Sequence, residues 1–162
     1  MMCHNCGGPM KVSPQRKYLS CVYCGTFAFS PDTESADQPI YISDAYGDLS
    51  CPACQELLAR AMLSGEELLT CRTCRGVLAD NGSFADVIRR LRTAAATRDE
   101  RPLPIDPSEY DRVLLCPGCG QRMDAHPYYG PGNVVVDTCA HCRLIWLDHG
   151  ELAVIEAAPG AR

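Results

Sequence analysis

Cys116-Pro117-Gly118-Cys119 and Cys139-Ala140-His141-Cys142, with Arg143-Leu144-Ile145-Trp146-Leu147-Asp148-His149-Gly150-Glu151-Leu152 behind them, form the stretch whose reading decides the fold. Two Cys-x-x-Cys knuckles with 19 residues between them have the spacing of a four-thiolate zinc site. Each knuckle is a tight turn that aims two sulfurs at one point, and the span between them suits a β-hairpin. Leu144 to Leu147 then reads as a short buried strand. Asp148 is placed to cap a helix with Glu151 at its N3 position, in a capping-box arrangement.

The rest of the chain repeats this plan. Cys3 and Cys6 precede Cys21 and Cys24, and Cys51 and Cys54 precede Cys71 and Cys74, so all 12 cysteines are used. The expected fold is small, metal-stabilised and β-rich: three tandem zinc ribbons, each a hairpin with a four-cysteine site, with short helices after the second and third. The ribbons are placed at 1–30, 48–97 and 113–158, with linkers at 31–47 and 98–112. Units this small bury too little apolar surface to fold unaided, so a staple is required. The opening Met1-Met2-Cys3-His4-Asn5-Cys6 has neither a basic start nor an apolar run. A reduced, cytoplasmic setting is therefore expected, with three zinc ions in place of disulfides. No apolar run has the length of a membrane span.

The formal net charge is −5 over 162 residues. Twelve thiolates around three divalent ions would bring it to about −11, a balance that opposes nonspecific attraction to phosphate backbones. Arg16 and Lys17, Arg72 and Arg75, and Arg122 and Arg143 stand beside the knuckles, where they are read as neutralising the anionic clusters.

In ribbon 1, a hairpin is expected from Met10-Lys11-Val12 and Lys17-Tyr18-Leu19-Ser20 around a turn at 13–16, with Tyr23, Phe27 and Phe29 as its core. Ile40-Tyr41-Ile42 reads as a short strand and Asp44 to Asp48 as a turn. Gln55 to Leu63 is rich in helix formers, yet both knuckles must converge on one metal, so a hairpin turning at Ser64-Gly65-Glu66 is expected instead. Counted from their last cysteines, Leu78 matches Trp146, Asp80 matches Asp148, Gly82 matches Gly150 and Phe84 matches Leu152. These positions have no metal-binding duty, so the match implies a duplicated strand–turn–helix unit. A helix over 81–97 carries Phe84, Val87, Ile88 and Leu91 on one stripe, and Arg89, Arg90 and Arg92 on a solvated side. In ribbon 3, strands Met123–His126 and Val134–Val136 flank a Gly130-Pro131-Gly132-Asn133 loop, and a helix over 149–158 closes the chain.

Cys142 to Leu152 resembles the transcription-factor-B (TFIIB)-type zinc-ribbon family of bacterial proteins. That pattern joins a Cys-Pro-x-Cys knuckle, a hairpin and a second Cys-x-x-Cys to Gly-x-Trp-Leu-Asp-x-Gly-Glu-Leu. Ribbon 3 follows it except that Leu144 replaces a glycine. Ribbon 2 is a weaker copy, keeping Cys51-Pro52-Ala53-Cys54 and Gly76-Val77-Leu78-Ala79-Asp80-Asn81-Gly82. The resemblance implies structural zinc binding.

Four thiolates saturate a tetrahedral zinc and leave no position for water or substrate. No nucleophile elbow, phosphate loop or pair of carboxylates around a cleft appears, so no catalytic residue is assigned. His4 and His141 lie inside knuckles and are read as pointing away from the metal; His126 and His149 are read as surface and helix-cap residues. Trp146 is read as a core residue, and Glu66 and Glu67 as a solvated acidic turn. The expected function is that of a protein-interaction scaffold with an unidentified protein partner. The alternatives are a transcription-associated factor contacting RNA polymerase or nucleic acid, and a metallochaperone or thiol redox protein.

Overall fold

A computed structural model describes residues 2–3, 6–13, 18–23, 27–29, 40–94 and 101–159. The chain divides into two compact units, Met1–Asp37 and Gln38–Arg162. In the first, β1 (Met10–Ser13), β2 (Tyr18–Cys21) and β3 (Phe27–Phe29) form an antiparallel sheet in that order. The expected hairpin is present, with Met10 opposite Cys21 and Ser13 opposite Tyr18. Tyr23 is not core: it is 78% exposed. The side chains of Phe27 and Phe29, and the segment 31–39 read as linker, lie outside the described residues.

The second unit departs from the picture of ribbons on tethers. Its strands β4 (Tyr41–Ser50), β5 (Leu57–Leu63), β6 (Glu66–Thr70), β7 (Val77–Asp80), β8 (Asp124–Pro127), β9 (Val135–Cys139) and β10 (Leu144–Leu147) form one seven-stranded sheet. The order is β4-β5-β6-β7-β10-β9-β8, so ribbons 2 and 3 meet through β7 and β10. Their register pairs Leu78 with Trp146, Val77 with Leu147, and Ala79 with Ile145. Since Leu78 and Trp146 are equivalent in the duplicated sequence, the two units meet about a local pseudo-two-fold centred on that pair.

Residues 41–47 belong to β4 rather than to a linker. The turn-forming Asp44-Ala45 and Gly47-Asp48 are absorbed as register shifts on either side of Tyr46. Ser43 Oγ holds the first irregularity, accepting from the Ala45 amide at 3.2 Å and donating to the Arg60 carbonyl at 3.1 Å. Bulges of this kind are characteristic of an edge strand. The β5–β6 hairpin turns at Ser64 and Gly65 as expected, overriding local helix propensity, because Ala61, Leu63 and Leu68 alternate toward the core.

Helices α1 (Asn81–Ala94) and α2 (Glu151–Ala157) pack together over one face of this sheet. Phe84, Val87, Ile88 and Leu91 of α1 and Leu152 and Ile155 of α2 bury against Val77, Ala79, Val136, Ile145 and Leu147. Tyr128 closes the rim edge-to-face on Phe84, with centroids 5.5 Å apart. Arg92 is not on the solvated side: it is buried and donates to the Ile155 and Ala158 carbonyls at 2.7 and 2.9 Å, satisfying the C-terminus of α2. Arg89 pairs with Asp86, and Arg90 with Glu66 at 3.0 Å.

Gly76 makes the close approach between the ribbons possible. A Cβ at this position would land inside the indole of Trp146, which is fully buried. Gly76→Ala is expected to destabilise the second unit by about 1–3 kcal/mol through overpacking against a rigid ring. Thermal melts followed by near-ultraviolet circular dichroism of the single tryptophan will measure this. An unchanged melting temperature would mean that the ribbons do not close on that ring.

Candidate metal centres

Among the described residues, the knuckles share one backbone device. In the first knuckle of each ribbon the amide of the residue after the second cysteine returns to the carbonyl of the first: Gly7 to Cys3, Gln55 to Cys51, and Gly120 to Cys116, at 2.8–2.9 Å. Arg75 does the same to Cys71 in the second knuckle of ribbon 2, at 2.8 Å. These residues and Arg143 all have φ between 57° and 72°, in the left-handed region. That conformation curls the chain so that both sulfurs face one point. Sequence reading missed its cost at Gln55, Arg75 and Arg143, where a side chain sits in a conformation that favours glycine.

The knuckles converge. Cys51, Cys54, Cys71 and Cys74 gather their sulfurs within 4.8 Å of one another, as do Cys116, Cys119, Cys139 and Cys142, and as do Cys3, Cys6 and Cys21. Cys24 lies outside the described residues. Representative separations are 3.6 Å for Cys51–Cys74, 3.6 Å for Cys119–Cys139 and 3.4 Å for Cys6–Cys21. These are far longer than a disulfide bond and close to the ~3.8 Å edge of a zinc–thiolate tetrahedron. Among the described residues, no cysteine of the three groups is joined in a disulfide. The donor set fits zinc.

Electrostatics show why a cation is needed. In the second cluster, contact with Cys54 pulls the Cys51 thiol down and contact with Cys51 pulls Cys71 down, while contact with Cys51 pushes Cys54 and Cys74 up. In the third, the Cys142 amide brings Cys139 down to about 7, and the neighbouring Cys119 pushes Cys142 up to about 12. Four thiols at such distances cannot all ionise alone, and a divalent ion resolves the conflict. Backbone amides supply further neutralisation, from Cys54 to Cys51 Sγ at 3.2 Å and from Cys142 to Cys139 Sγ at 3.4 Å.

Around the third centre, the Trp-Leu-Asp segment does something other than cap a helix. The N-cap of α2 is Gly150, which makes no side-chain cap bond. Asp148 instead accepts the Trp146 indole N–H at 3.1 Å and pairs with Arg112 at 2.7 Å. Glu151 does reach back, accepting the Asp148 amide at 2.7 Å, so half of the box forms. The reason is burial: the Asp148 side chain is only 6% exposed and must face a donor inside the protein. Arg112 also pairs with Asp137 at 2.8 Å, so one guanidinium ties β9 to the turn after β10. Burial opposes its charge, but Asp148 and Asp137 more than offset this and raise its pKa. Sequence reading left Arg112 in a linker. The stretch 101–112 is instead docked on ribbon 3, with a 3₁₀ turn over Pro107–Tyr110 capped by Asp106.

Among the described residues, the groups suited to a metal are the three cysteine clusters, without His126 or His149. His126 bonds Thr138 at 3.0 Å and stacks on Tyr129. His149 is half-buried, and burial, aided by the nearby Arg75, lowers its pKa. His141 is exposed, and His4 lies outside the described residues. Arg72 lies 5.7 Å from the Tyr46 ring centroid and donates to the Ser43 carbonyl at 2.7 Å, which fixes β4. The acidic turn is charge-paired, with Glu67 on Arg60 at 2.5 Å and Glu66 on Arg90.

The centres differ in support. Those of ribbons 2 and 3 sit at the ends of a sheet with a helical core, whereas ribbon 1 has three short strands and an exposed Cys6. A chelator is expected to strip ribbon 1 first, at least roughly tenfold faster than the others. Native mass spectrometry of the zinc-loaded chain will show a two-zinc species accumulating. Simultaneous loss of all three ions would refute this order.

Residues 115–158 match the transcription factor zinc-finger family of TFIIB zinc-ribbon type. No curated protein and no solved structure matches the chain. No helix among the described residues is long and apolar enough to cross a membrane.

Proposed function

We propose, with a TFIIB-type ribbon over 115–158 as the premise, that this protein is a non-enzymatic scaffold. In this reading its zinc ions are structural and its surfaces dock a protein partner. The observation that carries the reading is the donor set, because clusters of four thiolates give zinc no open position for chemistry. The sheet also ends in the bulged edge strand β4, which exposes Tyr41, Ile42 and Tyr46 at 71%, 45% and 49%. Edge strands with exposed aromatic residues suit docking by strand addition and shape.

A second reading, as a transcription-associated factor contacting RNA polymerase or nucleic acid, is favoured by the family matched at 115–158. A net charge of −5 speaks for a protein surface over a phosphate backbone within that reading. Affinity capture of the tagged, zinc-loaded protein from its native host, with and without nuclease, distinguishes the two. One defined partner that is not a polymerase subunit supports the scaffold. Polymerase subunits retained after nuclease support the second reading, and an empty capture defeats both.

A further inference from the structure

Ribbons 2 and 3 are related by the pseudo-two-fold through Leu78 and Trp146, yet only one half of the relation carries an indole and a guanidinium. In ribbon 3 the Trp146 indole is bonded to Asp148, lies against Gly76, and is accompanied by Arg112, which bridges Asp148 and Asp137. Counting forward from the second knuckles, Leu78 stands for Trp146 and Asp80 for Asp148; counting back from them, Leu69 stands for Asp137, and counting back from the first knuckles, Gly47 stands for Arg112. Leu144 in turn stands where Gly76 yields to the ring. Ribbon 2 has therefore lost both the indole and the guanidinium. At that place lies a groove of about 550 Å³, lined by Gly47, Leu49, Leu69, Leu78, Asp80 and Leu144.

We propose that this groove is a docking seat for a tryptophan of a protein partner, flanked there by arginine or lysine. The groove continues the internal β7–β10 interface and lies open to solvent. Leu49, Leu69 and Leu144, which are half-buried, supply an apolar floor for an aromatic face. The charge of the lining is complementary to a cation: Asp48, Glu66, Glu67 and Asp80 stand against Arg60. Glu67 is paired with Arg60 and Glu66 with Arg90, which leaves Asp48 and Asp80 to meet the incoming charge. Asp80 accepts the Gly82 and Ser83 amides on one oxygen of a carboxylate with about four acceptor sites, so it retains capacity for an indole N–H. The internal Trp146–Asp148 pair is the template for that bond.

This inference deepens the scaffold reading and rests on it. The test is a nitrogen-15 NMR titration of the zinc-loaded full chain with N-acetyl-Trp-Arg-amide, with N-acetyl-Ala-Arg-amide as control. Saturable shifts are expected at Leu69, Leu78, Asp80 and Leu144, with the alanine peptide at least about tenfold weaker. Asp80→Asn keeps a good helix cap and is expected to weaken the tryptophan peptide about tenfold. The double variant Leu78→Trp with Leu144→Gly places the chain's own ring in the seat and should abolish binding; Asp80→Asn carries the test if that variant does not fold. Shifts confined elsewhere, an equal response to the alanine peptide, or undiminished binding to Asp80→Asn would overturn the proposal. A captured partner retained at full level by both variants would overturn the groove and leave the scaffold standing.

Discussion

Cys116→Ala is expected to unfold ribbons 2 and 3 together while leaving ribbon 1 folded. Each ribbon read from sequence alone should fail independently, but the shared sheet changes the expectation. A structural zinc site contributes on the order of 10–16 kcal/mol, against a net domain stability of about 5–15 kcal/mol, so its loss is decisive for whatever folds with it. What folds with the third site includes β7, because Leu78 pairs with Trp146 and the α1 stripe buries on Ile145 and Leu147. Cys51→Ala should therefore abolish the near-ultraviolet dichroism of Trp146, although the tryptophan belongs to the other ribbon. Native mass spectrometry should show one zinc retained in either variant. Two retained zincs, with a normal Trp146 signal in Cys51→Ala, would mean that the ribbons fold separately.

Arg112→Ala is expected to cost about 3–5 kcal/mol and to lower the melting temperature of the second unit by roughly 10–20 °C. The penalty lies in what is left behind. Asp137 and Asp148 have side chains only 4% and 6% exposed, and without the guanidinium two buried carboxylates face each other's field with no cation between them. Lowering the pH into the carboxylate range should restore part of the loss in the variant, because protonation removes the unpaired charges. Arg112→Ala with Asp137→Asn should recover more than the sum of the single changes predicts, since the residues form one network. Chemical denaturation of the four proteins at two pH values measures both effects. Additive losses without pH dependence would show that Arg112 acts by packing alone.

The position of the hairpin turn shows how far sequence reading reaches. Leu57 to Leu63 carries helix formers, yet the spacing of Cys54 and Cys71 required a hairpin turning at Ser64 and Gly65, which the protein has. Metal geometry is a local constraint with a fixed answer, and it outweighs propensities of a few tenths of a kcal/mol per residue. The Asp44 to Asp48 segment went the other way. Its turn residues are real, but pairing with β5 converts them into bulges, and no local signal distinguishes the two outcomes.

By itself the sequence determined the thiolate clusters, the β-rich ribbon plan and the duplicated strand–turn–helix unit, because knuckle spacing and repeated positions are properties of short stretches. Only the tertiary structure decided that ribbons 2 and 3 share one sheet, that Arg92 caps the opposite helix, and that Arg112 leaves its apparent linker for two buried aspartates. Those choices rest on pairings across more than 20 residues of chain. The same four-residue strand could have paired elsewhere, and the fit of Trp146 over Gly76 selects the partner.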